Sequence, residues 1–451
     1  FLAAEYIVLI RMAQLRQEYE YMGDDDDMSE FDDEELFDGR GRGDFIETDS
    51  DNDVEASSGQ SDDTTAMQAR NGRDIQGIPW ERLQFTREKY RETRLKQYKN
   101  YVNLHLPHDD LDKECKPVRK DGNFFEFHHN ARSVKSSFVH FQLRNLVWAT
   151  SKHDVYVICG FNVMHRCSLS RRSTTVLNAA EPLEEDEVQK IPRTIQQGLG
   201  KIQISTMCVK KNLLVAGGFQ GELVAKNLDR HGVSYCAKIT YDENAITNAI
   251  DIYDSPSGAT QLMTSNNDSV VRVFDVETFS VLRHNPFAWA VNHTSISPDK
   301  TLVVVVGDHA DGLLVNHQTG QVVANLRGHV DYSFASTWHP DGRYFATGNQ
   351  DMTSRIWDVR NLSSSLTVLK GNIGAVRSLR FTSDGSFLAM AEPADFVHVF
   401  DVKHNYDRCQ EIDLFGEISG ISFSPDTQSL FIGVADRTYG SLLEYNRCHS
   451  N

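Results

Sequence analysis

One stretch of the chain, residues 326–371, constrains its fold more than any other feature. It reads LRGHVDYSFASTWHPDGRYFATGNQDMTSRIWDVRNLSSSLTVLKG, in which a Gly-His pair, a polar turn, a strand ending in small residues, an Asp and a Trp-Asp pair follow in order. The turn Pro340-Asp341-Gly342 joins the first two strands, because Pro presets φ and Gly accepts a positive φ. The stretch therefore predicts a small antiparallel sheet of about 40 residues that recurs along the chain.

Four side chains of this unit can form hydrogen bonds with one another inside the sheet. His329 precedes the first strand, Thr347 lies on the second, Asp351 occupies the next turn and Trp357 ends the third. Buried polar groups need hydrogen-bond partners, so we expect a structural relay that ties the loop, the turn and the strands together. The same residue types occur in hydrolytic triads. Inside such a sheet no oxyanion site adjoins the hydroxyl, so we predict no catalytic residues and no enzyme.

The negative charge of the chain is concentrated in one segment. Residues 24–63 hold eighteen acidic residues against two arginines, and so carry about −16 of the formal net charge of −18. The nearly neutral remainder argues against a surface made for nucleic acid. Because this segment is also poor in β-branched and aromatic residues, we expect residues 1–74 to be a disordered acidic tail. The sequence begins with Phe1 rather than with Met. We therefore expect Met12, which is followed by Ala13, to be the initiator methionine.

Simple patterns argue against several other classes of protein. The seven cysteines are dispersed and form no C-x-x-C pair, which favours a reducing compartment, the cytoplasm or the nucleus. No apolar run approaches the roughly 20 residues that cross a bilayer. Residues 198–201 lack the first glycine and the Ser/Thr of a phosphate-binding loop. The histidines show no metal-binding spacing, so we expect neither a cofactor nor a metal.

Residues 75–122 are predicted to form a helical lead-in. After Ile78-Pro79-Trp80 the sequence ERLQFTREKYRETRLKQYKNYVNL carries good helix formers and Glu-to-Lys/Arg pairs at helical spacing. Its basic face could meet an acidic partner, the acidic tail of the chain or phosphate, or it could simply be solvated. The residues of that face are Arg87, Arg91, Arg94 and Lys96.

Residues 123–451 are predicted to be all-β. Short strands and turns alternate about every ten residues, as in a sandwich, barrel or propeller, and the repeats select a propeller. In the unit at 261–278, Thr264 and Asp268 align with Thr347 and Asp351, which extends the relay to a second blade. Further units lie at 146–169, 212–228, 301–320, 386–403 and 421–446. The sequence thus predicts seven blades, the last completed by an N-terminal strand at 124–129 that closes the ring.

Residues 123–446 resemble the WD-repeat family of β-propellers, with the motif specific in one blade and degenerate in the others. The lead-in IQGIPWER at 75–82 and the turn AEPADF at 391–396 resemble a poorly characterised WD-repeat subfamily of plants and fungi. The wider family implies a rigid, non-catalytic platform for protein complexes. We therefore expect a protein–protein interaction scaffold, monomeric within a multiprotein complex, that binds other proteins but neither nucleic acid nor membrane.

Turns between the second and third strands are the places where we expect a partner to bind. Loops on a rigid scaffold carry recognition residues, whereas the strands beneath them carry packing. The alternative for each position is an ordinary solvated or packing residue. The predicted partner-binding residues at this rim are Asn267, Trp289, Tyr332, Gln350, Arg377 and Glu392.

The run Trp357-Asp358-Val359-Arg360 resembles the W-D-x-R box with which some WD-repeat proteins dock on the adaptor of a cullin-RING ubiquitin ligase. Arg360 would offer its fork of donors to a carboxylate or carbonyl of the adaptor. The same run also arises in ordinary blades. A substrate receptor of such a ligase is therefore one alternative function, and a nuclear transcription or chromatin regulator acting through the basic helix is another.

Overall fold

The computed structural model describes residues 62–106, 111–181, 201–242 and 244–448. Most of the predicted disordered tail and residues 198–200 lie outside this part of the chain. The described residues form mainly antiparallel strands, which confirms the predicted all-β class. None of the described helices is long and apolar enough to cross a bilayer.

The strands build the seven blades that the repeats predict. Blades 1 to 5 are separate four-stranded sheets. Blades 6 and 7 form one eight-stranded sheet, because Cys409–Phe423 is the outer strand of blade 6 and continues as the inner strand of blade 7. The first strands of successive blades pack side by side in a closed ring, which places them around a central axis.

The bounds of the elements follow the chain order. Blade 1 comprises Val147–Ala149, Asp154–Cys159, Asn162–Cys167 and Arg172–Asn178, and blade 2 comprises Ile204–Lys210, Leu213–Gly218, Glu222–Asn227 and Tyr235–Lys238. Blade 3 comprises Thr247–Asp254, Thr260–Asn266, Val270–Asp275 and Val281–Pro286. Blade 4 comprises Val291–Ile296, Leu302–Gly307, Gly312–Asn316 and Val322–Leu326. Blade 5 comprises Ser333–Trp338, Tyr344–Asn349, Thr353–Asp358 and Thr367–Lys370. Blade 6 comprises Ser378–Phe381, Phe387–Ala391, Ala394–Asp401 and the first part of Cys409–Phe423. Blade 7 comprises the rest of that strand together with Ser429–Ala435, Ser441–Arg447 and Phe125–Ala131. The described helices are Ala66–Arg70, the 3-10 turn Trp80–Arg82, Arg87–Gln97 and Leu111–Glu114.

Each blade packs its two faces on two different neighbours. In Leu302–Gly307 of blade 4, Val303 and Val305 pack with side chains of blade 3, whereas Val304 and Val306 pack with Trp357 and other side chains of blade 5. Successive strand residues point to opposite faces, so a continuous valine run suits a sheet that is buried on both sides.

The ring closes through a strand that precedes the first blade in sequence. Phe125–Ala131 pairs antiparallel with Ser441–Arg447, within two residues of the strand predicted at 124–129. Thr64–Thr65 then pairs with this closing strand, and Ala66–Arg70 continues as a helix with a capping box. The predicted tail therefore extends too far toward residue 74, because pairing with a distant strand gives 62–74 hydrogen bonds that composition does not reveal.

The relay of blade 5 has the predicted geometry. His329 Nε2 lies 2.9 Å from Thr347 Oγ1, and its Nδ1 lies 2.9 Å from Asp351 Oδ2. Trp357 Nε1 donates to Thr347 Oγ1 at 3.0 Å. Since an indole can only donate, Thr347 Oγ1 accepts from Trp357 and keeps its own hydrogen for His329 Nε2, while the Asp351 carboxylate accepts from Nδ1. All four side chains are buried, so this relay is part of the architecture.

Blade 3 does not reproduce the relay predicted for it. Thr264 donates to Asn266 Oδ1 at 3.3 Å, and Asp268 binds Arg272 through Oδ2 at 2.5 Å. The prediction that Thr264 and Asp268 extend the relay is therefore wrong, although both help to satisfy polar groups of the same turn. The reason is that the Arg272 guanidinium, on the neighbouring strand, binds Asp268 in place of an imidazole.

An edge strap, residues 115–122, covers the outer edges of blades 5 and 6. Lys116 N–H donates to Val368 O at 2.9 Å on blade 5. Further along, Cys409 N–H of blade 6 donates to Arg119 O at 2.8 Å, and the two bridges are parallel. Val118 packs between them against the core. One extended segment thus pairs with two neighbouring blade edges.

Candidate functional site

The upper rim of the propeller carries the turns between second and third strands together with the linkers between blades. Asn267, Gln350 and Glu392 lie in or beside such turns, and Trp289 and Tyr332 lie in linkers, as the sequence predicts. The lower rim carries the remaining turns, including the one with Arg360. The upper rim therefore contains most of the predicted partner-binding residues.

The helix Arg87–Gln97 lies on this rim at blade 6. Thr86 caps its start by accepting a hydrogen bond from Lys89 N–H at 3.3 Å. Arg91, with a side chain 10% exposed, donates to Asp395 Oδ2 at 2.8 Å and to Asp413 Oδ1 at 2.7 Å. Its guanidinium lies 4.2 Å from the ring centre of Phe415. A helix with almost no apolar face is thus held by charge and by cation–π contact.

Asp395 is the centre of these contacts. Its side chain is fully buried and its backbone has a φ of +71°, a conformation that Asp tolerates in a turn. Arg94 binds the same carboxylate as Arg91, with Nη2 3.0 Å from Oδ1, and Gly416 N–H donates to Oδ1 at 3.1 Å. Burial lowers the pKa of Arg94, but the charge and hydrogen bonds of Asp395 raise it above its ordinary value.

The motif before the helix meets the same part of the rim. Gln76 exchanges two hydrogen bonds with the backbone of Phe415, at 2.6 and 2.7 Å. Trp80 packs against the Phe415 ring with centres 5.1 Å apart and donates to Asp74 Oδ2 at 2.8 Å. The IQGIPWER and AEPADF motifs, far apart in sequence, therefore meet at residues 415–416 of the strand Cys409–Phe423.

The chain then crosses from blade 6 to blade 5. Asn100 Nδ2 donates to Gln350 O at 2.7 Å, and Asn100 Oδ1 accepts from Gln350 Nε2 at 2.7 Å. Asn103 donates to Asp331 through its backbone and side chain, at 2.9 and 3.0 Å. We call residues 74–103 the clamp, because they bind the upper rim of blades 5 and 6 from one end to the other.

Three predicted partner-binding residues are buried, so the prediction is wrong for Gln350, Arg377 and Glu392. Gln350 is held between the clamp and Arg377, whose Nη2 donates to Gln350 Oε1 at 2.6 Å. Burial lowers the pKa of Arg377 to about 9, and its guanidinium lies over the Phe334 ring. Glu392 is 0% exposed and accepts three backbone N–H bonds and one from His398. The polar groups of these three side chains therefore bind other segments of the same chain.

The basic face predicted on the helix binds the propeller itself. Three residues of this face form ion pairs with carboxylates of blade 6, namely Arg87, Arg91 and Arg94. The fourth, Lys96, is exposed. None of the four sequence interpretations named this partner, and the AEPADF turn that contains Asp395 was the available signal. The basis for a regulator acting through a free basic helix is therefore removed.

Over blades 2 to 4, the described residues leave part of the upper rim exposed. Asn267, Trp289 and Tyr332 are half-buried there, and His309 is exposed with its ring parallel to Trp289 at 6.3 Å. Tyr241 is 76% exposed. We call this surface the open rim, and it retains three of the predicted residues.

Polar groups accompany the aromatic side chains of the open rim. Asp308 accepts a hydrogen bond from Asn292 at 2.8 Å, and burial raises its pKa. A cleft of about 220 Å³ opens at blade 2. It is lined by Lys201, Gln203, Phe219, Gln220 and Glu222. Aromatic surface beside scattered polar groups is typical of protein interfaces.

Arg360 lies on the lower rim with a side chain 60% exposed. Asp358 of the same turn accepts from Arg360 Nε at 3.0 Å and from Nη2 at 2.7 Å. The guanidinium is thus oriented by its neighbour and remains accessible. Among the described residues, no group of three or more His, Cys, Asp or Glu side chains could hold a metal ion.

Comparisons with known proteins agree with this architecture. Residues 320–358 match the family model "WD domain, G-beta repeat". The pre-mRNA-processing factor 19 homolog 2 of Arabidopsis thaliana is 23% identical over 50% of this chain and 42% of its own length. The THO complex subunit 3 of the same plant is 23% identical over 34% and 48%.

A solved structure shows the same fold at low identity. One chain of a crystal structure of the mitotic checkpoint complex superimposes with a TM-score of 0.56 at 12% identity, covering 70% of this chain and 94% of that one. The chain spans about half the length of the curated relatives it matches. These likenesses establish the architecture. The activity of the protein has to be inferred from the residues on its own surface.

Proposed function

We propose that this WD-repeat β-propeller is a non-catalytic scaffold that binds a partner protein through the open rim of blades 2 to 4. The clamp carries this proposal, because it fills the rim over blades 5 and 6 with the chain's own side chains. Among the described residues, the aromatic surface around Tyr241 and Trp289 is exposed in part and available to another protein. Relatives named as a complex subunit, and a similar chain within a checkpoint complex, support a role in a multiprotein assembly in the cytoplasm or nucleus.

The open rim suits a partner that inserts apolar or aromatic side chains between polar contacts. Tyrosine and tryptophan dominate binding energy because they bury large rigid surfaces at little conformational cost. Trp289 lies against the backbone of Gly307, where a side chain would meet the indole ring at 2.6 Å. The glycine therefore lets the indole ring pack closely against this backbone.

Replacing Tyr241 and Trp289 together with alanine is expected to reduce partner recovery about tenfold or more, since each anchor contributes roughly 1–2 kcal/mol of binding. Recovery is measured by affinity purification of the tagged full chain from its own cells, with quantitative mass spectrometry. The melting temperature of the purified variant is measured as well, and Tyr241→Ala alone provides a variant at a 76% exposed position.

The matched control is Leu169→Ala, because Leu169 is 72% exposed in a lower-rim turn of blade 1. It should leave recovery unchanged. Equal recovery from wild type and from the folded double variant would place the binding surface elsewhere.

A second candidate function, docking on a cullin-RING ligase adaptor, is favoured by the exposure of Arg360 and its fixation by Asp358. Arg360→Ala is then expected to reduce co-precipitation of the adaptor severalfold, because a charged fork loses its contacts. The control is Arg343→Ala, since Arg343 also binds Asp358, at 3.2 Å, and lies outside the W-D-x-R run. Adaptor recovery that is equal in all three proteins, or absent from all, would count against docking.

A further inference from the structure

The outer edges of blades 3 and 4 expose aliphatic side chains. Val281 and Leu282 of blade 3 are 53% and 46% exposed, and Val322 and Val323 of blade 4 are 53% and 56% exposed. Each of these strands is the last of its sheet, with no further strand on its outer side in the described chain. Unpaired N–H and C=O groups beside apolar side chains are a template for an added strand.

The other outer edges are protected in different ways. Blade 1 has a polar edge, with Thr174 and Thr175 exposed in Arg172–Asn178. The outer strand of blade 2 is short and mostly buried, and its Tyr235 stacks on Phe279 with ring centres 4.3 Å apart. The edge strap covers blades 5 and 6, and Thr64–Thr65 covers blade 7. Within the described chain, only blades 3 and 4 combine a bare edge with clustered aliphatic side chains.

The edge strap shows what kind of segment covers two neighbouring edges. Where it pairs, Val368 of blade 5 is 3% exposed and Cys409 of blade 6 is 2% exposed. Val118 enters the core between them while backbone bonds join the strap to both edges. An extended chain with an aliphatic residue between the two contacts therefore fits such a pair of blades.

Blades 3 and 4 present their edges as one continuous surface. Arg283 of the blade 3 edge donates to Gln318 Oε1 at 3.1 Å and lies 2.8 Å from His317 Nε2, both in the turn before the blade 4 edge. The row of edges continues from blade 4 to blade 5, where the strap begins. A second copy of the chain adding one of its outer strands would pair with a single edge, whereas the aliphatic side chains lie on two.

We propose that the outer edges of blades 3 and 4 bind an extended, aliphatic segment of a partner protein that crosses both edges, as the edge strap crosses blades 5 and 6. Backbone hydrogen bonds to each edge hold the segment, and the four exposed aliphatic side chains select Val, Ile or Leu beside them. Proline is excluded where the segment pairs, because it has no N–H to donate. This surface is separate from the open rim, so the inference does not depend on the proposed function.

The test selects ligands for the purified full chain from a random dodecapeptide library and measures the affinity of the recovered peptides. We expect extended sequences rich in Val, Ile or Leu, whose affinity falls about tenfold or more with Leu282→Lys/Val323→Lys, since a lysine opposes apolar contact. Methylating alternate backbone nitrogens of the peptide should abolish binding, because it removes the donors of a strand. Amides of Val281–Pro286 and Val322–Leu326 should exchange more slowly when the peptide is bound.

The control variant is Leu169→Lys/Leu366→Lys, at positions 72% and 55% exposed on blades 1 and 5. It should bind like wild type, and both variants should keep the wild-type melting temperature because all four positions are on the surface. The proposal is overturned by peptides without the aliphatic pattern, by binding that survives the edge variant or backbone methylation, or by equal weakening in the control. Wild-type dimers in sedimentation that the edge variant abolishes would also overturn it, in favour of self-association.

Discussion

Replacing Arg91 with alanine is expected to release the clamp and to lower the free energy of unfolding by about 3 kcal/mol. Its side chain is 10% exposed and joins Asp395 to Asp413, so its removal leaves the buried Asp395 and the partly exposed Asp413 with fewer donors. The expected cost is at the low end for a broken buried pair, because Asp395 keeps Arg94 and Asp413 keeps Arg87. Denaturant titration gives the change, and hydrogen exchange of Arg87–Gln97 amides shows whether the helix detaches.

Lys96→Ala is the matched control for Arg91→Ala. Lys96 lies on the same helix, is exposed and has no ion-pair partner in the described chain, so its loss should change stability by about 0.5 kcal/mol or less. If Arg91→Ala behaves like Lys96→Ala in both measurements, the clamp is not held by this network. The clamp would then depend on its other contacts, those of Gln76, Trp80, Asn100 and Asn103. If the helix amides already exchange fast in the wild type, the upper rim over blades 5 and 6 is available to partners and the proposed restriction to the open rim fails.

Replacing His329 with alanine is expected to destabilise the protein by about 1–3 kcal/mol. The change leaves the buried Asp351 carboxylate and Thr347 hydroxyl without their imidazole partner. Trp357 would still donate to Thr347, so the indole keeps its bond while the loop before blade 5 loses its anchor. Thermal and denaturant unfolding of the purified variant measure the effect.

His404→Ala is the control for the relay, because His404 also binds a carboxylate, Asp401 at 2.7 Å, but its side chain is 74% exposed. An exposed pair of this kind contributes roughly 0–1 kcal/mol. A double-mutant cycle of His329→Ala with Thr347→Val isolates the coupling inside the relay. An unchanged melting temperature for His329→Ala would contradict the structural role of these residues.

The relay and the blades could be predicted because their signals are local. His329, Thr347, Asp351 and Trp357 lie within about 30 residues of one another, and the hydrogen-bonding needs of each select the others. Short strands separated by turns mark every blade, with alternating apolar residues in some strands and a continuous apolar run in others, such as residues 302–306. The failure at Asp268 has a local cause too, since Arg272 four residues later takes over its carboxylate.

The candidate site was only partly predictable. Sequence reasoning placed Gln350 and Glu392 in the right turns, but it could not show that Asn100 and the backbone of residues 372–374 would occupy them. Trp289 and Tyr332 remain on the open rim, where their role in binding stays a prediction. The fate of the basic helix depended on Asp395, about 300 residues away, and no periodicity within the helix encodes that distance.

The amino-acid sequence by itself determined the class of fold, the seven blades and the hydrogen-bonded relay, because these depend on residue types at short, regular spacing. Only the tertiary structure decided which parts of the upper rim and of the outer edges are available, because the clamp and the edge strap bind blades that are remote in sequence. Their contacts arise from buried charges and backbone pairing between distant segments. Such contacts become visible when the ring is closed and both partners have definite positions.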